Sequence, residues 1–332
     1  MGLAHPSGMR RRSIGDCRPG LKSHDVPADK NETSITVVSD AMNTTTTPAT
    51  PSPALDFQPL RSPLPSLDAW TAHFFKAEIP ILADTAANLE AMRAHEDDMD
   101  ANLIGEMVAD DPLMTLKILA YSATHRSERR VTDVETVTAA VVVLGISPFF
   151  SAFGPEQPVV EDRLAQVEGA PQGLADVLRR AHRAARFAFA FAVHRMDLDA
   201  AVIHEAALLH DFAEMLLWCH APTLALQVRQ ALEATPGLRS SAAQQGVLGI
   251  QLPDLQQALM RAWRLPDLLI RITDDSHADH PSVRNVVLAI RLARHSSHGW
   301  ENPAIPDDIE ELAALLNLSR QATLELVRKV DI

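Results

Sequence analysis

From residue 66 onward, apolar side chains recur at the spacing of an α-helix, and this periodicity is the strongest constraint on the fold. Ala and Leu dominate, and almost no segment alternates apolar and polar residues as a half-buried strand would. Hydrophobic residues make up 46% of the chain and charged residues 22%, which is enough apolar material for a buried core. We therefore predict an all-α protein.

The first 65 residues have a different composition. They are rich in Ser, Thr, Pro and Gly and contain the low-complexity run Thr44 to Thr47. Such a segment has too little apolar surface to offset the entropy lost on ordering, so residues 1–65 are predicted to be a disordered tail. Met42 lies just upstream of the Thr run, and whether translation starts at Met1 or at Met42 stays open.

Several helix boundaries can be read from capping residues. Asp111 precedes Pro112, a carboxylate N-cap followed by a proline at the first helical position, so a helix begins there. Thr132 and Glu135 form a capping box, and Gly145 can end the helix that follows by adopting a left-handed conformation. This second helix is predicted to run from residue 134 to residue 144.

Residues 155–173 look like a loop and divide the helical part of the chain. We predict a helical domain at residues 66–300, with halves at about 66–154 and 174–300 and a C-terminal extension at 301–332. In the extension, Asn317-Leu318-Ser319 can stop one helix and cap the next. The pair faintly resembles a helix-turn-helix, but its acidic surface favours packing or dimerisation over DNA binding.

Charge and cysteine content exclude several classes of partner. The formal net charge is −13 and is spread along the chain, so neither nucleic acid nor an anionic membrane surface is an expected partner. Cys17 and Cys219 lie too far apart to suggest a disulfide framework or a cysteine zinc site. No signal peptide and no run of 18 apolar residues is present, so we predict a cytoplasmic protein.

The dipeptide His210-Asp211, at the end of an apolar helical run, is the strongest chemical signal. Imidazole and carboxylate together suit first-row divalent metals, and HD-superfamily hydrolases present two ligands in this way. His182, on an earlier helix, resembles the first ligand of such a site. A zincin motif starting at His204 is excluded, because Leu208 stands where its second His is needed.

Together with its flanking segments, the chain resembles an HDOD domain over roughly residues 75–300. The resemblance implies a compact multi-helix bundle related to the HD phosphohydrolase fold, usually without demonstrated catalysis and usually linked to bacterial signalling. It rests on Ile79-Pro80, Asp111-Pro112-Leu113, Lys117-Ile118-Leu119, Val134 to Gly145, Leu208-Leu209-His210-Asp211, Gly246, Trp263-Arg264-Leu265-Pro266 and Leu292-Ala293.

The departures from the HD pattern suggest a degenerate site. Where HD enzymes carry their last metal-binding Asp, this chain has Arg294, whose guanidinium repels a divalent cation and has no lone pair to donate. Asp274-Asp275 stands where related chains tend to have a His-His pair. We predict a vestigial site of His182, His210, Asp211 and Arg294, with Arg294 paired to Asp211. If a metal binds, its ligands are His182, His210 and Asp211.

The sequence thus favours a regulatory protein without catalytic residues or cofactor. It would bind another protein, or a small ligand in the vestigial pocket, and its oligomeric state stays open. The alternative is a metal-dependent phosphohydrolase acting on a nucleotide or phosphoester. The phenylalanines between Pro148 and Phe153 also have two interpretations: they fill the seam between the two helical halves, or they form an exposed patch that docks a partner.

Overall fold

A computed structural model of the protein describes residues 57–125, 134–154, 156–277 and 279–331. Every regular element in these ranges is helical, and the pairing of Ile81 with Val159 is an isolated bridge. The all-α prediction is therefore confirmed for this part of the chain. The predicted tail lies outside the described residues as far as residue 56.

The segment just before the first helix packs onto the helical body. The Leu60 N–H donates to the carbonyl of His220 at 2.8 Å, and the side chains of Leu60 and Leu64 contact the main core. The guanidinium of Arg163 lies 4.4 Å from the centre of the Phe57 ring. The packed part of the chain therefore begins earlier than the predicted end of the tail, because these apolar side chains find core contacts.

The helices before residue 155 form the N-terminal half. They are α1 (Leu67–Lys76), α2 (Ala83–Arg93), α3 (Ala101–Val108), α4 (Pro112–Thr124), α5 (Val137–Leu144) and α6 (Ile146–Phe153), with a short 3-10 turn at Glu96–Asp98.

The helices after residue 155 form the C-terminal half and the extension. They are α7 (Val160–Leu164), α8 (Ala170–Arg195), α9 (Ala200–Leu208), α10 (Phe212–His220), α11 (Pro222–Ala234), α12 (Ser240–Leu248), α13 (Leu252–Ala262), α14 (Asp267–Ile272), α15 (Pro281–His295), α16 (Ile305–Leu316) and α17 (Arg320–Val330), with a 3-10 turn at Asp275–His277.

The predicted N-cap of α4 is confirmed in atomic detail. One carboxylate oxygen of Asp111 accepts from the N–H groups of Leu113 and Met114 at 2.9 and 3.1 Å, as an N-cap should. The other oxygen accepts from the Leu82 N–H at 2.8 Å. The same buried carboxylate therefore begins α4 and fixes the chain just before α2.

Two predicted boundaries were wrong. Helix α5 begins at Val137, because the side chain of Thr136 caps it by accepting from the N–H of Ala139; Thr132 lies outside the described residues. The predicted loop at 155–173 contains α7 and the start of α8, since Gly169, at a φ of +80°, lets the chain turn directly into that helix. Gly145 does end α5, at a φ of +87°.

Two clusters of buried residues make up the core. The main cluster extends from Trp70 in α1 to Val327 in α17, so the predicted C-terminal extension shares the core of the helical domain. The second cluster lies between residues 81 and 153. Helix α4 supplies both, with Leu113 and Leu116 in the main cluster and Met114 in the second.

The phenylalanines of α6 do not fill the seam between the halves. Phe149, Phe150 and Phe153 are at most 2% exposed, and all three belong to the second cluster with the helices of their own half. The positive φ of Gly145 turns α6 back onto α2 and α5 instead of toward the C-terminal half.

Helix α8 is the centre of the C-terminal half and positions the candidate site. It packs most extensively against α9 and α15. The His210-Asp211 turn directly follows α9, and Arg294 lies near the end of α15. Predicted site residues from two separated stretches of sequence therefore come together beside one long helix.

The break inside the C-terminal extension is confirmed. Asn317 adopts the left-handed conformation that ends α16, and the side chain of Ser319 caps α17 by accepting from the Ala322 N–H. Near the end of α17, Asp331 forms two 2.8 Å hydrogen bonds with Arg183 of α8. Among the helices of the described residues, none is long and apolar enough to cross a membrane.

Candidate functional site

The turn between α9 and α10 presents His210 and Asp211 together, as the sequence predicts. Leu208 and Leu209 are buried in the main core and anchor the end of α9. The imidazole of His210 lies between two carboxylates, with Nδ1 3.1 Å from Asp211 and Nε2 3.0 Å from Asp275. Both ring nitrogens of His210 are therefore occupied by carboxylate partners.

The second oxygen of Asp211 faces two arginines. Arg180 of α8 approaches it with two nitrogens, each at 3.4 Å, and also donates to Glu214 at 2.8 Å. Arg294 lies at 3.8 Å, an ion-pair distance longer than a hydrogen bond, and its side chain is 51% exposed. Arg180 is thus the closer of the two arginines to Asp211, and Arg294 adds its charge at longer range.

Burial, hydrogen bonds and neighbouring charges shift the pKa values of His210 and Asp211. Burial opposes ionisation of Asp211, but the hydrogen bond from His210 and the charges of Arg294 and Arg180 outweigh it and hold the pKa well below its ordinary value. For His210, burial favours the neutral form. Hydrogen bonds to Asp211 and Asp275 overcome this and raise its pKa to about 9. At neutral pH the pair is an imidazolium beside a carboxylate.

The raised pKa of His210 predicts a pH-dependent stability. Because the folded protein binds this proton more tightly than the unfolded chain, whose histidine has the ordinary pKa of 6.5, the stabilisation is complete below pH 6.5. It is lost as the pH rises through about 9. We expect urea unfolding to show a falling free energy of unfolding over this range, and a smaller fall in the His210→Gln variant.

His277→Gln is the matched control for this experiment. The side chain of His277 is 71% exposed, and it contacts Asp274 and Ser276. Its replacement should leave the pH profile unchanged. Burial also raises the pKa of Glu205, to about 8, so part of the decline persists in every variant. Identical profiles for His210→Gln and the parent would contradict the assigned role of His210.

His182 does not join His210 and Asp211. Its Nε2 lies 3.1 Å from the backbone carbonyl of Asp110, in the connection between α3 and α4. The ring lines the same cavity as the other predicted residues but bonds to the backbone. The structure therefore brings together three of the four predicted site residues and ties the fourth to the N-terminal half.

The sequence did not indicate the residues that contact the pair from other positions. Arg180 could not be singled out, because α8 carries several arginines and periodicity alone does not show which one faces Asp211. Glu214 lies one helical turn after Asp211, so the helical spacing could have revealed it. For Asp275, the sequence indicated only that it stands where related chains tend to have a histidine.

A cavity of about 1700 Å³ opens beside this cluster. Its walls come chiefly from α8, α10, α11, α13 and α15, together with the segment that follows α15. Both arginine and carboxylate side chains line it, and so do Trp300 and His298. Such a wall offers hydrogen-bond donors and acceptors to a polar ligand.

The residues at the cluster do not fit a divalent metal. Within the ranges that the structure describes, no group of three or more His, Cys, Asp or Glu side chains is arranged to hold an ion. Both nitrogens of His210 bond to carboxylates, and Asp211 faces guanidinium groups, which repel a cation. The contacts of this cluster therefore favour charge pairing over metal binding.

The chain is similar to known proteins in sequence and in fold. A model of the HDOD domain matches residues 79–279, whereas no curated protein matches the sequence. The fold is similar to the MmoQ response regulator of Methylococcus capsulatus str. Bath, at 18% identity and a TM-score of 0.56, covering 75% of this chain and 98% of that one. It is also similar to a virulence factor of Campylobacter jejuni subsp. jejuni, at 16% identity and a TM-score of 0.55, covering 79% and 97%.

Proposed function

Because the chain belongs to the HDOD domain family, we propose that it is a non-catalytic signalling module that binds a protein partner or a small ligand at the His210-Asp211 cavity. A role in signalling agrees with the similarity to a protein described as a response regulator. The family match alone does not identify a binding site, and we assign that site to the residues that surround Asp211.

The proposal rests on the two guanidinium groups that face Asp211. In a metal-dependent hydrolase this carboxylate would need a free oxygen toward the ion. Here Arg180 and Arg294 lie 3.4 and 3.8 Å from that oxygen. A guanidinium has no lone pair for a metal and stays protonated, so it supplies the positive charge itself. The arrangement favours binding over hydrolysis.

A thermal-shift experiment with divalent metals tests the proposal. A metal that binds only the folded state at 100 times its Kd would stabilise the protein by about 2.7 kcal/mol. We expect no shift in Tm with manganese, zinc or magnesium, little metal after purification, and no hydrolysis of generic phosphoesters.

Arg294→Asp is the informative comparison, because it restores the carboxylate of the HD pattern. This variant should either gain a metal-dependent shift in Tm or lose stability through uncompensated negative charge beside Asp211. Stoichiometric metal in the parent, together with phosphoester hydrolysis that disappears in Asp211→Asn, would overturn the non-catalytic proposal in favour of a phosphohydrolase.

A further inference from the structure

Two arginines in the wall of the cavity beside the His210-Asp211 turn lack a close carboxylate partner. Seven arginines line this cavity, on α8, α11 and α15. Five of them contact a carboxylate within hydrogen-bonding distance, namely Arg179, Arg180, Arg183, Arg229 and Arg291. The other two are Arg186 and Arg294, whose positive charge is not balanced in this way.

The side chains of both these arginines are accessible. Arg186 is exposed and has no ion pair with any residue that the structure describes. Arg294 is 51% exposed, and its nearest carboxylate, Asp211, lies at 3.8 Å, while Arg180 lies closer to the same oxygen, at 3.4 Å. The N–H donors of Arg186 and Arg294 are therefore available to a ligand.

Contacts of Arg183 place the two free guanidinium groups in one part of the cavity. Arg183 donates to the carbonyl of Ala293 at 3.1 Å and to the hydroxyl of Ser296 at 2.9 Å, so α8 lies directly against the end of α15. Arg186 follows Arg183 after a rise of about 4.5 Å along α8, and Arg294 directly follows Ala293. Arg186 and Arg294 therefore lie on either side of the paired Arg183.

Apolar side chains line other parts of the same cavity. Trp300 belongs to the segment after α15, Leu217 to α10, and Val228 and Leu232 to α11. Apolar surface with a few polar groups is typical of pockets for small organic ligands. The cavity thus offers apolar contacts to a ligand that also carries negative charge.

We propose that this cavity binds a small organic phosphate, with its phosphate group between Arg186 and Arg294 and its organic part against the apolar wall. The inference rests on the proposed function, because it names the ligand class of the same cavity. A phosphate monoester carries a charge of about −1.5 to −2 at pH 7 and three acceptor oxygens, which suits two guanidinium groups. A carboxylate has two oxygens, which a single guanidinium satisfies in a bidentate pair.

Calorimetric titration of the full-length chain with phenylphosphonate tests the proposal, in a buffer free of metal and phosphate. The carbon–phosphorus bond of this probe is not a phosphoester, so binding is measured separately from any hydrolysis. We expect saturable binding of one molecule per chain. Benzoate, which has the same ring with a carboxylate, should bind about tenfold more weakly or less, because it leaves one of the two arginines without a partner.

Substitution of the two arginines tests the position of the phosphate group. Arg186→Gln and Arg294→Gln should each weaken phenylphosphonate binding by about tenfold or more, because each removes charge-assisted hydrogen bonds. Arg179→Gln is the matched control. Arg179 lines the same cavity from the same helix and is 61% exposed, but it is paired with Asp176. This variant should bind the probe like the parent.

Three results would overturn the proposed phosphate site: no saturable binding of phenylphosphonate, equal affinity for benzoate, or an equal loss of affinity in Arg179→Gln and the two test variants. None of them would contradict the non-catalytic proposal, which depends on metal binding and hydrolysis. Binding of phenylphosphonate that requires an added divalent metal would overturn both, because the metal and not the arginines would then hold the phosphonate.

Discussion

Replacing Leu209 with Ala should lower the free energy of unfolding by about 2–5 kcal/mol, because a buried side chain is lost and a cavity remains. Leu209 is fully buried in the main core, at the junction of α9 with the His210-Asp211 turn. Leu208, which is 1% exposed, should behave in the same way. Urea unfolding monitored by circular dichroism measures the change for each variant.

Leu103→Ala is the control for these substitutions. Leu103 lies on α3 and is 45% exposed, so its truncation removes less buried surface and should cost at most about 1 kcal/mol. If Leu208→Ala and Leu209→Ala both unfold at the same urea concentration as the parent, the end of α9 is misplaced in the fold.

Asp211→Ala should be the most destabilising single change among the charged residues of the site, at about 3 kcal/mol. It removes the carboxylate that His210, Arg180 and Arg294 share, and leaves buried positive charge without its partner. This loss in the free energy of unfolding is near the lower end of the range for broken buried ion pairs. The reason is that Arg180 keeps its ion pair with Glu214, Arg294 is half exposed, and His210 can release its proton.

Asp275→Ala is the control for Asp211→Ala, because it also removes a carboxylate that contacts His210. Asp275 contacts the same imidazole, but its side chain is 55% exposed, and exposed ion pairs contribute at most about 1 kcal/mol. Asp211→Ala should therefore destabilise the protein clearly more than Asp275→Ala at neutral pH. Equal losses in urea unfolding would show that Asp211 is not the centre of the cluster.

The site was predictable where its residues are neighbours in sequence. The apolar run that ends in Leu208-Leu209 shows both that α9 is buried and that His210 and Asp211 follow it at a turn. Arg294 was predicted to pair with Asp211, and the structure places it at ion-pair distance. Its position on α15 could be inferred only through the resemblance to HD proteins, since no local pattern links the two residues.

The partners from distant helices could not be predicted. Arg180 and Asp211 are 31 residues apart and His210 and Asp275 are 65 apart. Which of the arginines on α8 reaches Asp211 depends on how α8 rotates and crosses against α10. The apolar pattern shows which side of a helix is buried but leaves open which helix covers it.

The sequence by itself determined the helical class, the start of α4 at Asp111 and the break before Ser319, because capping and periodicity act over a few residues. Only the tertiary structure decided that the phenylalanines of α6 join the N-terminal core, that His182 bonds to Asp110, and that Arg180 is the arginine of α8 that reaches Asp211. The physical reason is that these contacts depend on the relative placement of whole helices, which many side chains set together.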